Sequence, residues 1–345
     1  MSKKKLNFAV IGCSGMAEGH MYGITDNKEL ANLYAICDID EERLALRKEK
    51  FNLDIAVRDY KELLNDPNID AVVIVTPDQL HLEMTVAFLR AGKDVLCEKP
   101  MALSVAECEE MMRVEKETGR KLMIGQVCRC TPAFVQAKEL IDSGRIGELF
   151  FVESEYAHDY SRIGGYNNWR ITPERHGFIG GGCHSVDLLR WIAGNPTEVC
   201  AYSSHKCLTN WPVDDATVAI YKFPNNVIGK VFASIGCKRG YTMRSVFYGT
   251  KGTIICDNTS PTMQLFENKD PNSENDFIES QEIEININSH NVSQEIKVFI
   301  DSLLSDKPMM ISSLEGASTI AVACATVDSA KNGTPVKIKY PVRHN

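Results

Sequence analysis

No Cys-x-x-Cys pair occurs among the twelve cysteines of this chain, no apolar run is long enough to span a bilayer, and positive charge is in deficit. The first absence argues against a zinc module: Cys128 with Cys130, and Cys183 with His184, lie close together, but neither pair has ligand spacing. Cysteines scattered through apparent strands and helices read instead as buried thiols in a reducing compartment, and no metal is expected. The missing apolar run excludes a membrane-spanning helix. The net charge of -8 argues against a general binder of nucleic acid or membrane surfaces, since both are polyanionic. The basic start followed by Leu6 to Ile11 is too short an apolar run, interrupted by Asn7, for a signal peptide. A first strand explains it, and a cytoplasmic location is expected.

What is present is the balance of a soluble globular protein, 44% apolar and 24% charged, over 345 residues, which is long for one core. Two domains are expected, 1–125 and 126–345, with no internal repeat. The fold class read from the pattern is α/β. An N-terminal Rossmann-type, doubly wound parallel sheet precedes a C-terminal α+β domain with a large, mostly antiparallel open sheet.

Leu6 to Ile11 reads as a buried strand running into Gly12-Cys13-Ser14-Gly15-Met16-Ala17 and a helix. Glycines at such a turn let a backbone approach a pyrophosphate at the helix N-terminus, although Ser14 and Ala17 stand where the usual pattern has its second and third glycines. A second strand ends in Asp38, the position where a dinucleotide fold holds the adenosine ribose hydroxyls. A carboxylate there repels a 2'-phosphate, so NAD is expected, with NADP as the alternative. The plainer reading of Asp38 is a turn or a cap for the helix that starts near Asp40.

Ala71 to Val75 is the most strand-like run and ends in Thr76-Pro77, ahead of a helix carrying His81. Lys93 to Ser104 contains a short apolar strand stopped by Glu98-Lys99-Pro100, which places Lys99 just past a strand end. In an open parallel sheet that end faces the ligand crevice, whereas in isolation such a lysine is a solvated surface residue. Ser104 and Glu107 form a capping-box pattern for the next helix.

From Gln126 the pattern changes to a helix over Pro132 to Ser143, then consecutive strands, beginning with Glu148 to Tyr156 and ending with Phe277 to Ile287. The polar stretch Asn268 to Asn275 is expected to be a mobile loop. Two late helices, near Val292 to Leu304 and Leu314 to Asn332, close the second domain. After the first of these strands comes a segment rich in rings and cations, including Tyr156, His158, Tyr160, Trp169 and Arg170. It leads to Gly180-Gly-Gly-Cys-His184-Ser-Val-Asp187, where His184 and Asp187 share a helix face. His184 either meets a ligand past the glycines or simply hydrogen-bonds Asp187.

Taken in order, the glycine turn, Asp38, Thr76-Pro77, Glu98-Lys99-Pro100 and the Gly-x-His-x-x-Asp run resemble the glucose-fructose oxidoreductase, inositol dehydrogenase and rhizopine-catabolism (Gfo/Idh/MocA) family over nearly the whole chain. The resemblance implies an NAD(P)-dependent oxidoreductase acting on a sugar, cyclitol or related polyol. Lys99 and His184 match the catalytic pair, Lys99 as general acid/base with His184 assisting. Gly12, Cys13, Ser14, Gly15, Met16, Ala17, Asp38, Thr76, Pro77, His81, Glu98, Gln126, Trp169 and Arg170 match cofactor positions. Lys99, Arg129, Tyr156, His158 and His184 fall on the substrate side. Many members carry an Asp four residues before the catalytic histidine; here that position is Gly180.

A free lysine has a pKa of about 10.4, so a base at that position needs its value lowered by roughly two units. Two other readings remain open: retained NAD used for transient oxidation during elimination or glycoside cleavage, and a non-catalytic cofactor sensor. An exposed face on the second sheet implies a homo-oligomer, a dimer or tetramer.

Overall fold

The computed structural model describes residues 5–267, 280–286, 290–305 and 308–342, which form two compact units. The first unit is built on six strands: β1 (Leu6–Ile11), β2 (Ala31–Cys37), β3 (Ile55–Val57), β4 (Ala71–Ile74), β5 (Asp94–Glu98) and β6 (Leu122–Gly125). They pair in the order β3-β2-β1-β4-β5-β6, all parallel. The strand order reverses between β1 and β4, which opens the crevice at the carboxyl ends where doubly wound sheets take ligands. Phe8 to Val10 and Ala71 to Ile74 are fully buried, as continuous apolar runs covered on both faces must be.

The connecting helices are α1 (Gly15–Asp26), α2 (Glu41–Lys50), α3 (Lys61–Leu64), α4 (His81–Arg90) and α5 (Val105–Thr118). Their starts follow local chemistry. The Ser104 and Glu107 side chains cap each other's backbone at α5, and Asp40 caps α2 by accepting from Arg43 N–H at 3.1 Å. Ser14, in place of the second glycine, caps α1 by accepting from Ala17 N–H.

The second unit holds α6 (Pro132–Asp142), α7 (Cys183–Ala193) and nine strands among the described residues: β7 (Leu149–Ala157), β8 (Glu198–Ser204), β9 (Ala216–Lys222), β10 (Ile228–Ser234), β11 (Arg244–Gly249), β12 (Gly252–Asp257), β13 (Thr262–Glu267), β14 (Ser280–Glu284) and β15 (Val336–Lys337). The order is β14-β13-β12-β11-β7-β10-β9-β8-β15, and within it β7 and β10 pair in parallel while the other neighbours are antiparallel. β13 was not expected from the pattern, yet Met263 and Leu265 alternate inward along it. The expected loop over Asn268 to Asn275 and the start of the expected strand at Phe277 lie outside the described residues.

Two helices complete the chain, α8 (Val292–Leu303) and α9 (Ser313–Asn332). The second domain was expected to run unbroken from 126 to 345, but residues 292–318 pack with the first unit. α8 lies along α1, where Gly19 and Gly23 leave room for Val292 and Ile296. A Cβ at Gly23 would stand 3.0 Å from Ile296. That close approach is a long-range pairing with no local signature.

Candidate active site

The predicted residues of the first unit cluster after the carboxyl ends of β1, β2, β4, β5 and β6, with Gly15, Met16 and Ala17 opening α1 and His81 opening α4. At the β1 end, Gly12 takes φ +98°, and a Cβ there would fall 2.5 Å from the Val75 carbonyl oxygen. Only glycine fits, which explains the residue without invoking a ligand. Gly15 differs: nothing lies within 4 Å of the Cβ it lacks, so its surface is open beside the first turn of α1. The Ala17 and Glu18 amides are satisfied by Ser14. The earlier Gly15 and Met16 amides, having no carbonyl a turn before them, are available to an anion.

Asp38 is nearly buried and does two jobs. Its Oδ2 accepts from Cys13 N–H at 2.7 Å and its Oδ1 from Asp40 N–H at 2.8 Å, tying the β2 end to the glycine turn. Arg43 Nη2 lies 3.7 Å from the same carboxylate. Asp38 thus closes a turn at the β2 end, and the helix cap belongs to Asp40. Burial, then Asp38, pushes the Cys13 thiol up to about 12, so it stays protonated. Eight of the twelve cysteines are buried.

At the β4 end, the buried Thr76 Oγ1 has no hydrogen-bond partner, and after β6 both amide atoms of fully buried Gln126 likewise have none among the described residues. Orphaned polar groups at strand ends beside an open helix N-terminus are what a dinucleotide with phosphates, hydroxyls and a carboxamide would satisfy. The residues present therefore fit NAD.

His81, on α4, is fully buried with its Nδ1 2.8 Å from Pro100 O and its Nε2 3.1 Å from Thr76 O. Two carbonyls facing both ring nitrogens require two N–H groups, which is the imidazolium. Burial pushes His81 down, but Cys97, Asp78 and the Pro100 carbonyl outweigh it and hold it at about 9. Its role is to clasp the turns after β4 and β5.

Lys99 is half-buried just past β5. Glu98 beside it accepts from Lys99 N–H at 3.0 Å and from His20 Nε2–H at 2.8 Å. Burial favours the neutral acid, yet His20, Lys99 and His81 together overcome it and hold Glu98 below the usual carboxylate range. Glu295 of α8 joins this group, with the donor atoms of His20, Glu98 and Glu295 all within 4.8 Å of one another. Glu98 Oε1 and His20 Nε2 already face each other at 2.8 Å, while His20 Nδ1 has no hydrogen-bond partner among the described residues.

In the second unit, a wide helical turn at Phe178–Gly182 leads into α7 and delivers His184, which is 4% exposed. His184 is stacked between Tyr156, at 5.8 Å and 14°, and His290, at 5.6 Å and 11°. Its Nδ1 lies 3.4 Å from Cys128 Sγ. Tyr156 OH meets Tyr160 OH at 2.7 Å and His158 Nδ1 at 3.3 Å, and Tyr241 OH meets His290 Nε2 at 2.6 Å. Burial pushes Tyr156 and Tyr241 well above the usual phenol range, so both remain neutral hydrogen-bonding groups.

Asp187, the alternative partner offered to His184 by the sequence, pairs with other groups. Asp187, fully buried, accepts from Arg129 Nε at 2.9 Å and Nη2 at 2.8 Å, and from Thr319 Oγ1 at 3.0 Å. Arg129, read as a substrate residue, thus spends its fork on a salt bridge in the interior of its own unit. Trp169 and Arg170 lie together on the loop before α7, the guanidinium 4.1 Å from the ring centre, with Arg175 stacked on the same ring at 5.0 Å. Gly180 is explained by Arg175, whose Cζ would be 2.3 Å from a Cβ at that position.

Several participants escaped the sequence reading. His20, Tyr241, His290 and Arg175 carry no local signal. Glu295 does carry one: it interrupts the apolar stripe of Val292, Ile296, Phe299 and Ile300, where a charged residue is out of place.

A doubly wound sheet with this row of strand-end groups, followed by a large open sheet, defines a two-unit NAD-binding oxidoreductase. The family model described as "Oxidoreductase family, NAD-binding Rossmann fold" matches residues 6–126, and the "GFO/IDH/MocA C-terminal domain" matches residues 134–255. The chain is 30% identical over 254 residues to inositol 2-dehydrogenase 2 of Saccharopolyspora erythraea, covering 72% of each. It is 27% identical over 320 residues to myo-inositol 2-dehydrogenase of Thermotoga maritima, covering 90% of this chain and 92% of that one. Among solved structures, a levoglucosan dehydrogenase in complex with NADH shares the fold at TM-score 0.89 and 23% identity, over 98% of this chain and 100% of the other. The chain belongs to the Gfo/Idh/MocA family.

Proposed function

We propose that this oxidoreductase moves a hydride between a CH–OH carbon of a cyclitol, sugar or related polyol and NAD, with Lys99 as general acid/base and His184 assisting. The observation that carries this reading is the placement of Lys99. It stands half-buried at the carboxyl end of β5, anchored through its own N–H by Glu98, in the same row of strand ends as the Gly12 turn and the orphaned Thr76 and Gln126.

Bound NAD supplies the hydride acceptor. Lys99 takes the hydroxyl proton of the carbinol as its C–H bond breaks, leaving a ketone, and returns that proton in the reverse direction. His184 is suited to share or pass on a proton, because its ring is fixed by stacking and its neighbours Tyr156 and Tyr241 are neutral phenols. Polyols suit a surface of tyrosine and histidine rings with hydroxyl and imidazole groups at their edges. Relatives named for inositol support the substrate class, and one, from Bacillus subtilis, is named as NAD(+)-dependent. Asp38 supports NAD over NADP, since its fixed carboxylate opposes a 2'-phosphate.

The test is fluorescence titration with NADH and NADPH, followed by a polyol panel, on the wild type and on Lys99→Ala. NADH is expected to bind more tightly than NADPH, and Lys99→Ala to keep NADH binding while losing turnover by about 100-fold or more. Turnover of that variant at the normal rate would remove Lys99 from the role, and turnover without net NADH would favour transient oxidation for elimination.

A further inference from the structure

Glu295 is the outlier of the first unit. It is fully buried on α8, and neither carboxylate oxygen has a hydrogen-bond partner among the described residues. Glycines 19 and 23 bring α8 close to α1, so Glu295 is carried to Glu98 and His20 across nearly the whole length of the chain. The groups facing it are His20 from α1 and Glu98 and Lys99 from the end of β5, with His81 of α4 acting on Glu98 in turn.

Two carboxylates in one dry space cannot both ionise without a compensating cation, and the better-solvated one keeps the charge. Glu98 has the donors, one from His20 and one from the Lys99 backbone. We propose that Glu295 is a positioning residue for Lys99: it stays a neutral acid, so that a single anion, Glu98, stands beside the lysine, and its ionisation locks Lys99 in the protonated form. Burial and the Glu98 charge both push Glu295 well above the usual carboxylate range, and Lys99 pulls it back down. By linkage, a proton on Lys99 favours loss of the one on Glu295, so the two titrate as a coupled pair. This rests on the reading of Lys99 as the base, but its test requires no turnover.

The experiment uses the whole protein without added ligand. Infrared spectra of the wild type and Glu295→Gln at pH 7 look for the carbonyl stretch of a protonated carboxylic acid. Peptide mapping after brief reductive methylation then follows the free-amine fraction of Lys99 against pH. Gln has the shape of the neutral acid and is neutral at every pH. The expected result is an acid band present in the wild type and lost in Glu295→Gln. The variant should also show a steeper Lys99 titration, with about threefold or more labelling at mildly alkaline pH.

Identical Lys99 curves would overturn the proposal and leave Glu295 a packing residue. Absence of the band would overturn it too, as would one equivalent of divalent cation retained by the wild type and lost by the variant, because coordination requires the ionised form. Should Glu295→Gln fail to fold, the wild-type infrared band decides alone: its absence at pH 7 overturns the proposal. Loss of turnover in Lys99→Ala bears only on the base assignment.

Discussion

At the scale of single residues, two buried ion-bearing groups make opposite demands. Asp187 accepts from both the Arg129 fork and Thr319, so removing the Arg129 guanidinium strips a buried anion of its bidentate pair and leaves it Thr319 and the more distant Arg190, at 3.8 Å. Arg129→Ala is expected to cost about 3–5 kcal/mol, readable as a lowered denaturant midpoint, and Arg129→Lys to rescue only part because it cannot pair through two nitrogens. A midpoint unchanged in Arg129→Ala would mean the bridge contributes nothing. His81 is held at about 9, above its ordinary 6.5. A raised folded value contributes stability that is complete below pH 6.5 and is lost as pH rises through about 9. Thermal melts of the wild type should therefore fall over that window, and the His81→Gln variant should show a smaller fall; parallel curves would refute the imidazolium.

At the scale of elements, the contact between α1 and α8 controls the ground beneath Lys99. Gly23 faces Ile296 Cβ at 3.0 Å and Ser293 Cα at 3.1 Å from the Cβ it lacks. Gly23→Val is expected to overpack this contact at a cost of about 1–3 kcal/mol, measured by chemical denaturation. The larger effect expected is on Lys99 reactivity, because α8 carries Glu295; a variant as stable as the wild type would show that the helices have slack. Legibility also divides at this scale. The starts of α2 and α5 were readable because Asp40 and Ser104 act within a turn of their own position. β13 was passed over because its alternation is short and sits between Pro261 and a polar stretch. The return of residues 292–318 to the first unit was invisible because nothing near α8 in sequence names its partner.

At the scale of the whole molecule, the second sheet has one face covered by α6, α7 and the later part of α9, and another that exposes Tyr202, Val218, Ile220 and Ile228. Register places Tyr202 beside Val218, and aligns Ile228 with Lys222. An apolar face of this kind on an antiparallel sheet is ordinarily covered. We expect light scattering to report a dimer or tetramer, and Tyr202→Glu combined with Ile220→Glu to shift it toward monomer; a monomeric wild type would refute this assembly.

Local chemistry in the sequence was enough to determine the parallel sheet, the glycine turn, the acid after β2 and the lysine past β5, because strand ends, turns and caps are decided by residues within a few positions of one another. Tertiary structure alone decided which charges neutralise which. It gave Arg129 to Asp187 and left His184 stacked between Tyr156 and His290, and it set Glu295 of α8 beside Glu98. Burial and electrostatic pairing depend on distance in space, and distance in space between residues far apart in the chain is settled only when the helices and sheets pack.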